Sequence, residues 1–444
     1  MNASGPTVWA DVTNTVEGSG TTGVQRAAKN LLAPLAMGDP RVDVRLVRWC
    51  EACQAFLALD ETEQRRFREA APPPERRVDR LPQRLRPAGR RLADRPALRR
   101  LNRAARRGRR TPHPTDEHSR RRVDLDGGTF LDLDASWHNR TDRNRLLPTL
   151  NARGVRTAAL FHDLFPIDHP EWSDGGTRTL FPPWADAHLR HDDLMIGNSA
   201  WTLARALDRR RSLGVDAPAV SGVVHLSGEW IDRRSEERAP SSGASPTQAL
   251  PEQLRGTDLR AYAVCVATLE PRKNHAVLLD ALDRWADMHP ELGLVLIGRI
   301  GWNTDELVRR IEGHPLLGRQ LFWFAHADDD AMRSLLGRAT VAAMPSLAEG
   351  FGLPVMEALS LGVPVVTTGG GALAEVGGDT PVRLPPDDAA AWADVLVRHA
   401  TDADYLAARR AAAEEAARHL PTWAEARDEL VDLLTSSSPP PTSR

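Results

Sequence analysis

Thr340-Val-Ala-Ala-Met-Pro-Ser-Leu-Ala-Glu-Gly-Phe-Gly-Leu-Pro-Val-Met-Glu357 joins a strand pattern, a glycine-bracketed turn and a helix start. The apolar run over 340–344 reads as a strand. The run over 354–361 reads as a helix, opened by a proline that suits a first helical turn. A strand passing into a helix through a short loop is the repeating unit of a doubly wound sheet. The loop carries Glu349, and the helix carries Glu357. An acid beside glycine backbone can accept hydrogen bonds from hydroxyl groups, and the N–H groups of a helix start can hold a phosphate. Gly350, Phe351, Gly352 and Leu353 provide that backbone.

The same alternation extends outward in both directions. Downstream lie a strand over 363–368 and helices over 387–400, 403–418 and 423–434. Upstream, strands are expected over 262–267, 292–297 and 320–324, with helices over 276–288, 304–312 and 329–337. Before them, residues 233–253 are rich in Ser, Pro, Gly and charge, which marks a boundary. The N-terminal part repeats the pattern, with strands over 7–13, 42–49, 129–133, 155–161, 194–197 and 219–225 and a helix over 22–35. Two α/β domains of doubly wound, parallel sheets follow, spanning 1–235 and 259–420 and joined by a linker over 236–258. A terminal helix over 421–434 and a Ser/Pro-rich disordered tail over 435–444 complete the chain.

Composition bounds the rest. A chain of 444 residues exceeds an ordinary single core, and 41% hydrophobic with 27% charged residues fits a soluble protein. The net charge of −2 commits the whole molecule to no polyanion. Lys29 and Lys273 are the only lysines among 58 basic residues, so a lysine in a loop stands out. Cys50 and Cys53 form a C-x-x-C with no second ligand pair, so they read as packing, like Cys265. Few cysteines and no signal-like start predict a cytoplasmic protein, and no apolar run is long enough for a bilayer. Within an insertion over about 60–125, residues 76–110 hold 15 arginines. They read as a solvated insertion or as a contact for an anionic membrane surface at the inner face of the plasma membrane. Nucleic acid is disfavoured, because no aromatic residue is interleaved for base stacking.

Thr268-Leu-Glu-Pro-Arg-Lys-Asn-His275 follows the first strand of the second domain and sets Arg272 beside Lys273 on a strand-to-helix loop. Fixed cations at that place can stabilise charge developing on a departing phosphate. This segment, Gly298-Arg-Ile-Gly-Trp302, and the stretch from Pro345 through Glu357 resemble retaining GT-B glycosyltransferases of glycosyltransferase family 4. The resemblance implies two Rossmann-like domains facing across a crevice. The second would bind a nucleotide-sugar donor, and the first a saccharide, lipid-linked or small-molecule acceptor. By that resemblance Arg272 and Lys273 bind the diphosphate, Glu349 binds donor-sugar hydroxyls and Glu357 binds the ribose. Gly298 and the backbone from Gly350 to Leu353 would join the donor site. Thr22-Gly-Val-Gln-Arg26 resembles the family's first glycine loop, where the donor phosphate or the acceptor would approach the backbone at Gly23. Phe161-His-Asp-Leu-Phe-Pro-Ile-Asp-His-Pro170 resembles its His-Asp segment, which would place His162 and Asp163 at the reacting carbon.

Other readings stay beside these. His162 also fits a hydrogen-bonded core histidine, and Asn198-Ser-Ala-Trp-Thr202 fits a structural turn with Ser199 as a helix cap. Most of the 12 tryptophans read as core or acceptor-site walls, and Trp302 and Trp137 are the best candidates among them to face the crevice. Asp328-Asp-Asp330 reads as favourable charge at a helix start rather than a metal site. The resemblance implies no metal and no cofactor. It favours GDP-mannose as donor, in the manner of bacterial mannosyltransferases, with UDP- and dTDP-sugars as the alternatives. Ala325, where the family often has glycine, departs from the pattern. The alternatives are another GT-B enzyme, such as an epimerase or a phosphorylase, and a non-catalytic binding protein.

Overall fold

The computed structural model describes residues 5–18, 22–68, 120–139, 141–230 and 254–436. The arginine-rich stretch 76–110, and with it the membrane-contact reading, falls outside the described residues, as do 231–253 and 437–444.

The N-terminal sheet contains β1 (Thr7–Asp11), β2 (Asp43–Cys50), β3 (Ala55–Ala58), β4 (Arg122–Val123), β5 (Thr129–Asp132), β6 (Arg156–Phe161), β7 (Leu194–Gly197) and β8 (Val220–Val223). Their spatial order is β4-β3-β2-β1-β5-β6-β7-β8. Every pairing from β2 through β8 is parallel. The other edge departs from the expected parallel sheet: β3 runs antiparallel to β2, and β4 antiparallel to β3. A tight turn makes the β2–β3 reversal, with Gln54 at φ 50°. The T-shaped contact of Trp49 with Phe56, 5.2 Å between centroids, packs the hairpin.

The C-terminal sheet contains β9 (Ala261–Val266), β10 (Leu292–Ile297), β11 (Leu321–Phe324), β12 (Val341–Met344), β13 (Val365–Thr367) and β14 (Val382–Arg383). It is parallel throughout, in the order β11-β10-β9-β12-β13-β14. Every residue of β10 and β12 is buried, because helices cover both faces of such a sheet. The strand order reverses between β9 and β12, and ligands of open α/β sheets settle at such a switch point, outside the carboxyl ends of the strands. The loops after β9 and β12 are the two segments singled out in the sequence.

Local signals account for the helix starts at this point. Thr22 caps the helix Gly23–Leu35 in a reciprocal box with Gln25. The helix Leu353–Ser360 begins after Gly352 at φ 106°, a conformation that favours glycine, with Pro354 in its first turn. The last helix, Trp423–Thr435, returns to the N-terminal sheet. Leu433 packs on Gly222, where a Cβ would lie 2.5 Å from its side chain. The Trp423 N–H donates to Glu229 at 2.8 Å. One buried apolar cluster joins Val224 and Leu226 to Phe351, Val355 and Met356, so the two halves share packing. No described helix is long and apolar enough to cross a membrane.

Candidate functional site

The loop after β9 ends in a single tight turn, Pro271–Lys273, and Asn274 at φ 50° then starts the helix His275–Trp285. This geometry brings Arg272 and Lys273 onto Glu349, which leaves the carboxyl end of β12. Arg272 Nη1 donates to Glu349 Oε2 at 2.5 Å and to the Ala348 carbonyl at 2.7 Å. Its Nη2 donates to Glu270 Oε1 at 2.8 Å. Lys273 Nζ lies 2.5 Å from Glu349 Oε1. Burial pushes the Glu349 carboxyl up, but Arg272 and Lys273 outweigh it and hold it down to about 2. Burial opposes the charge on Arg272, and Glu349 and Glu270 reverse that effect. The three residues therefore form an ionised cluster at the switch point. Behind it, burial pushes the Cys265 thiol up to about 12, so it is an inert packing group.

The N-terminal half meets this cluster through backbone. A Cβ on Gly350 would lie 1.8 Å from the His162 carbonyl oxygen, so only glycine fits there. Ser199 Oγ and Thr202 Oγ1 donate to the Gly350 carbonyl at 2.7 and 2.9 Å. Ser199 also caps the helix Ala200–Ser212. The Asn-Ser-x-x-Thr turn thus clamps the Glu349 loop from the other domain. His162 Nε2 is 2.9 Å from the Leu133 carbonyl, which can only accept. The ring therefore carries its proton on Nε2, and burial lowers its basicity. Asp163 accepts from the Phe165 N–H at 3.2 Å, and burial raises its carboxyl against the pull of Arg272. The Arg272 guanidinium lies 5.1 Å from the Phe165 ring centroid, a cation–π contact across the halves.

Glu357 is 2% exposed and faces Arg26, whose Nη1 is 2.5 Å from its Oε1 without an aligned hydrogen bond. Arg26 also sits 5.4 Å from the Trp230 ring centroid. A Cβ on Gly23 would touch Leu353 at 3.4 Å, so the first glycine loop faces the helix start that bears Glu357. Gly298 has a packing role at the end of β10: a Cβ there would lie 1.8 Å from the Ala267 carbonyl oxygen. Phe351 is buried in the shared core.

Trp302 bridges the halves, its Nε1 donating to the Trp172 carbonyl at 2.5 Å. Trp137 departs from expectation. It lies edge-on against Phe181 and Trp184, at 5.1 and 5.2 Å between centroids, within an N-terminal aromatic cluster. Asp328 caps the helix Asp329–Gly337 through the Ala331 N–H. Among the described residues no group of three or more His, Cys, Asp or Glu could hold a metal ion.

A buried polar network escaped the sequence reading. Asp11 and Asp132 end β1 and β5 at the N-terminal switch point, and Arg143 bridges them at 2.7 and 2.9 Å. His188 Nε2 reaches Asp132 at 3.1 Å, and its Nδ1 reaches Asp192 at 2.9 Å. Burial pushes the imidazole down, but the two acids outweigh it and raise it to about 9. Burial alone dominates at Asp134, lifting its carboxyl to about 6. An acid closing each of two apolar strands was the available signal. Its partners come from distant helices.

Residues 248–419 match the family model "Glycosyl transferases group 1". The chain is 29% identical over 225 residues to a serotype-specific mannosyltransferase, WbdA, of Escherichia coli, covering 50% of this chain and 27% of that one. It is 36% identical over 277 residues to a glycogen synthase of Mycobacterium tuberculosis, covering 54% of this chain and 65% of that one. The match thus spans about a quarter of the E. coli protein. The Anabaena protein HepE, crystallised with UDP and glucose, superposes with a TM-score of 0.59 over 97% of this chain and 99% of that one, at 13% identity. Residues 248–419 thus match the group 1 glycosyl transferases by sequence, and nearly the whole chain shares the two-domain GT-B fold of HepE.

Proposed function

We propose that this protein transfers a sugar, with retention, from a nucleotide-sugar donor to a saccharide, lipid-linked or small-molecule acceptor in the cytoplasm. The observation that carries this reading is the meeting of Arg272, Lys273 and Glu349 at the C-terminal switch point. In this reading the two cations take the diphosphate, and Glu349 exchanges them for hydroxyls of the donor sugar. Glu357 exchanges Arg26 for the ribose. GDP-mannose is the favoured donor, in keeping with the likeness to E. coli mannosyltransferases.

The acceptor hydroxyl attacks the anomeric carbon on the face from which the diphosphate leaves. The carbon–acceptor oxygen bond forms as the carbon–phosphate oxygen bond breaks. The electron pair stays on the nucleoside diphosphate, whose phosphate oxygen takes the acceptor proton. Arg272 and Lys273 stabilise the charge growing there, and no metal or protein nucleophile is assigned a part. His162 and Asp163 orient the sugar beside the Gly350 backbone. A thermal-shift panel of GDP-, UDP- and dTDP-sugars tests this, because a ligand that binds the folded state raises the midpoint. A rise with GDP-mannose and release of GDP support the reading, while no response to any nucleotide sugar overturns it.

A further inference from the structure

A groove of about 480 Å³ opens beside the cluster, within the range of small-molecule sites. The N-terminal half supplies Phe165, Asp168, His169, Trp172, Trp201 and Arg205 to its wall, and the C-terminal half closes it with Leu347, Ala348 and Gly371. We infer that this groove binds the neutral pyranose ring of a saccharide acceptor, an assignment that rests on the glycosyl-transfer reading.

Position, shape and charge carry the inference. Ala348 directly precedes Glu349, and its carbonyl is held by Arg272. Phe165 lines the groove and also carries the Arg272 guanidinium on its ring, so groove and ionised cluster share a wall. The walls are aromatic: His169 stacks on Trp172 with centroids 3.9 Å apart, and Phe165 lies 5.6 Å from both Trp172 and Trp201. Pyranose rings present C–H faces to such surfaces and hydroxyls to polar groups at the rim. The rim offers donors and acceptors for those hydroxyls. Arg205 grips Asp168 with two hydrogen bonds, at 3.2 and 2.9 Å, and His169 faces Glu171 at 3.3 Å. Asp168 and Arg205 therefore cancel within the lining, which leaves no net positive charge to hold a phosphorylated sugar. Hydroxyls can still bridge the carboxylate and guanidinium. The Trp302 bond to the Trp172 carbonyl ties one wall to the C-terminal half.

Saturation-transfer difference NMR with methyl α-D-mannopyranoside, methyl α-D-glucopyranoside and mannose 6-phosphate tests the assignment on the full chain. The wild type is expected to take up at least one neutral pyranoside and to prefer it to the phosphate. Trp201→Leu keeps the backbone N–H that binds Glu375 and is expected to weaken that binding at least 10-fold, with an unchanged midpoint shift from GDP and UDP. Arg205→Gln serves as a second variant if Trp201→Leu does not fold, with the same expected direction. Wild-type saccharide affinity in the folded variants, preference for the phosphate, or no pyranoside binding by the wild type would each overturn the inference. Saccharide binding without any nucleotide response would uphold the groove and sink the donor reading instead.

Discussion

Replacing Lys273 with alanine tests the core of the site. Its Nζ is one of two cations on Glu349, whose carboxyl is held at about 2 against an ordinary 4.5. Net of the opposing burial effect, a depression of that size corresponds to roughly 3 kcal/mol, and Arg272 and Lys273 both contribute to it. Removing Lys273 should therefore lower stability at pH 7, by about 1–3 kcal/mol. The sign follows from the depression: this stabilisation is fully present above pH 4.5 and fades as pH falls toward 2. The stability gap between wild type and Lys273→Ala should narrow over that window, as urea midpoints at pH 7 and in acid would show. Turnover should suffer more, by about 10²–10³-fold, if the ammonium stabilises a leaving diphosphate. Release of nucleoside diphosphate at saturating donor measures this. A variant with the expected stability loss but a wild-type kcat would refute the catalytic role and leave Lys273 a structural partner of Glu349. An equal stability gap at both pH values would refute the electrostatic account itself.

Other expectations follow from the same contacts. Gly350→Ala forces a methyl group onto the His162 carbonyl, so it should lower the melting midpoint by an amount equivalent to about 1–3 kcal/mol and impair donor binding together. Removing the buried Arg143 as Arg143→Leu strands Asp11 and Asp132 and should cost about 3–5 kcal/mol, read by chemical denaturation. His188 is raised to about 9 from 6.5, so its stabilisation is complete below pH 6.5 and is lost as pH rises through 9. His188→Gln should accordingly flatten the alkaline limb of the stability profile by about 3 kcal/mol. Arg26→Gln leaves Glu357 without its facing cation and should alter nucleoside affinity more than kcat, which a KM-against-kcat comparison would show.

The alternation of strands and helices was legible because parallel strands covered on both faces become continuous apolar runs, as in β10 and β12. The glycine turns and helix starts near Glu349 were legible for a local reason: their backbone geometry is set by Gly352, Pro354 and Asn274 themselves. The β3–β4 edge was not, since two short strands far apart in the chain carry little pattern of their own. Trp137 shows the same limit: an aromatic residue after a strand can face a crevice or a core, and only Phe181 and Trp184 on a later helix decide.

The amino-acid sequence alone determined two α/β domains, the loops at which their strands end, and the residue types on those loops. All of these follow from local periodicity and backbone preference. Tertiary structure alone decided what those residues meet. It set Glu349 between Arg272 and Lys273, put Arg26 against Glu357, pressed Gly350 onto His162 and walled a groove with Trp172 and Trp201. Such contacts arise when packing closes long chain separations, and no local pattern encodes which distant partner arrives.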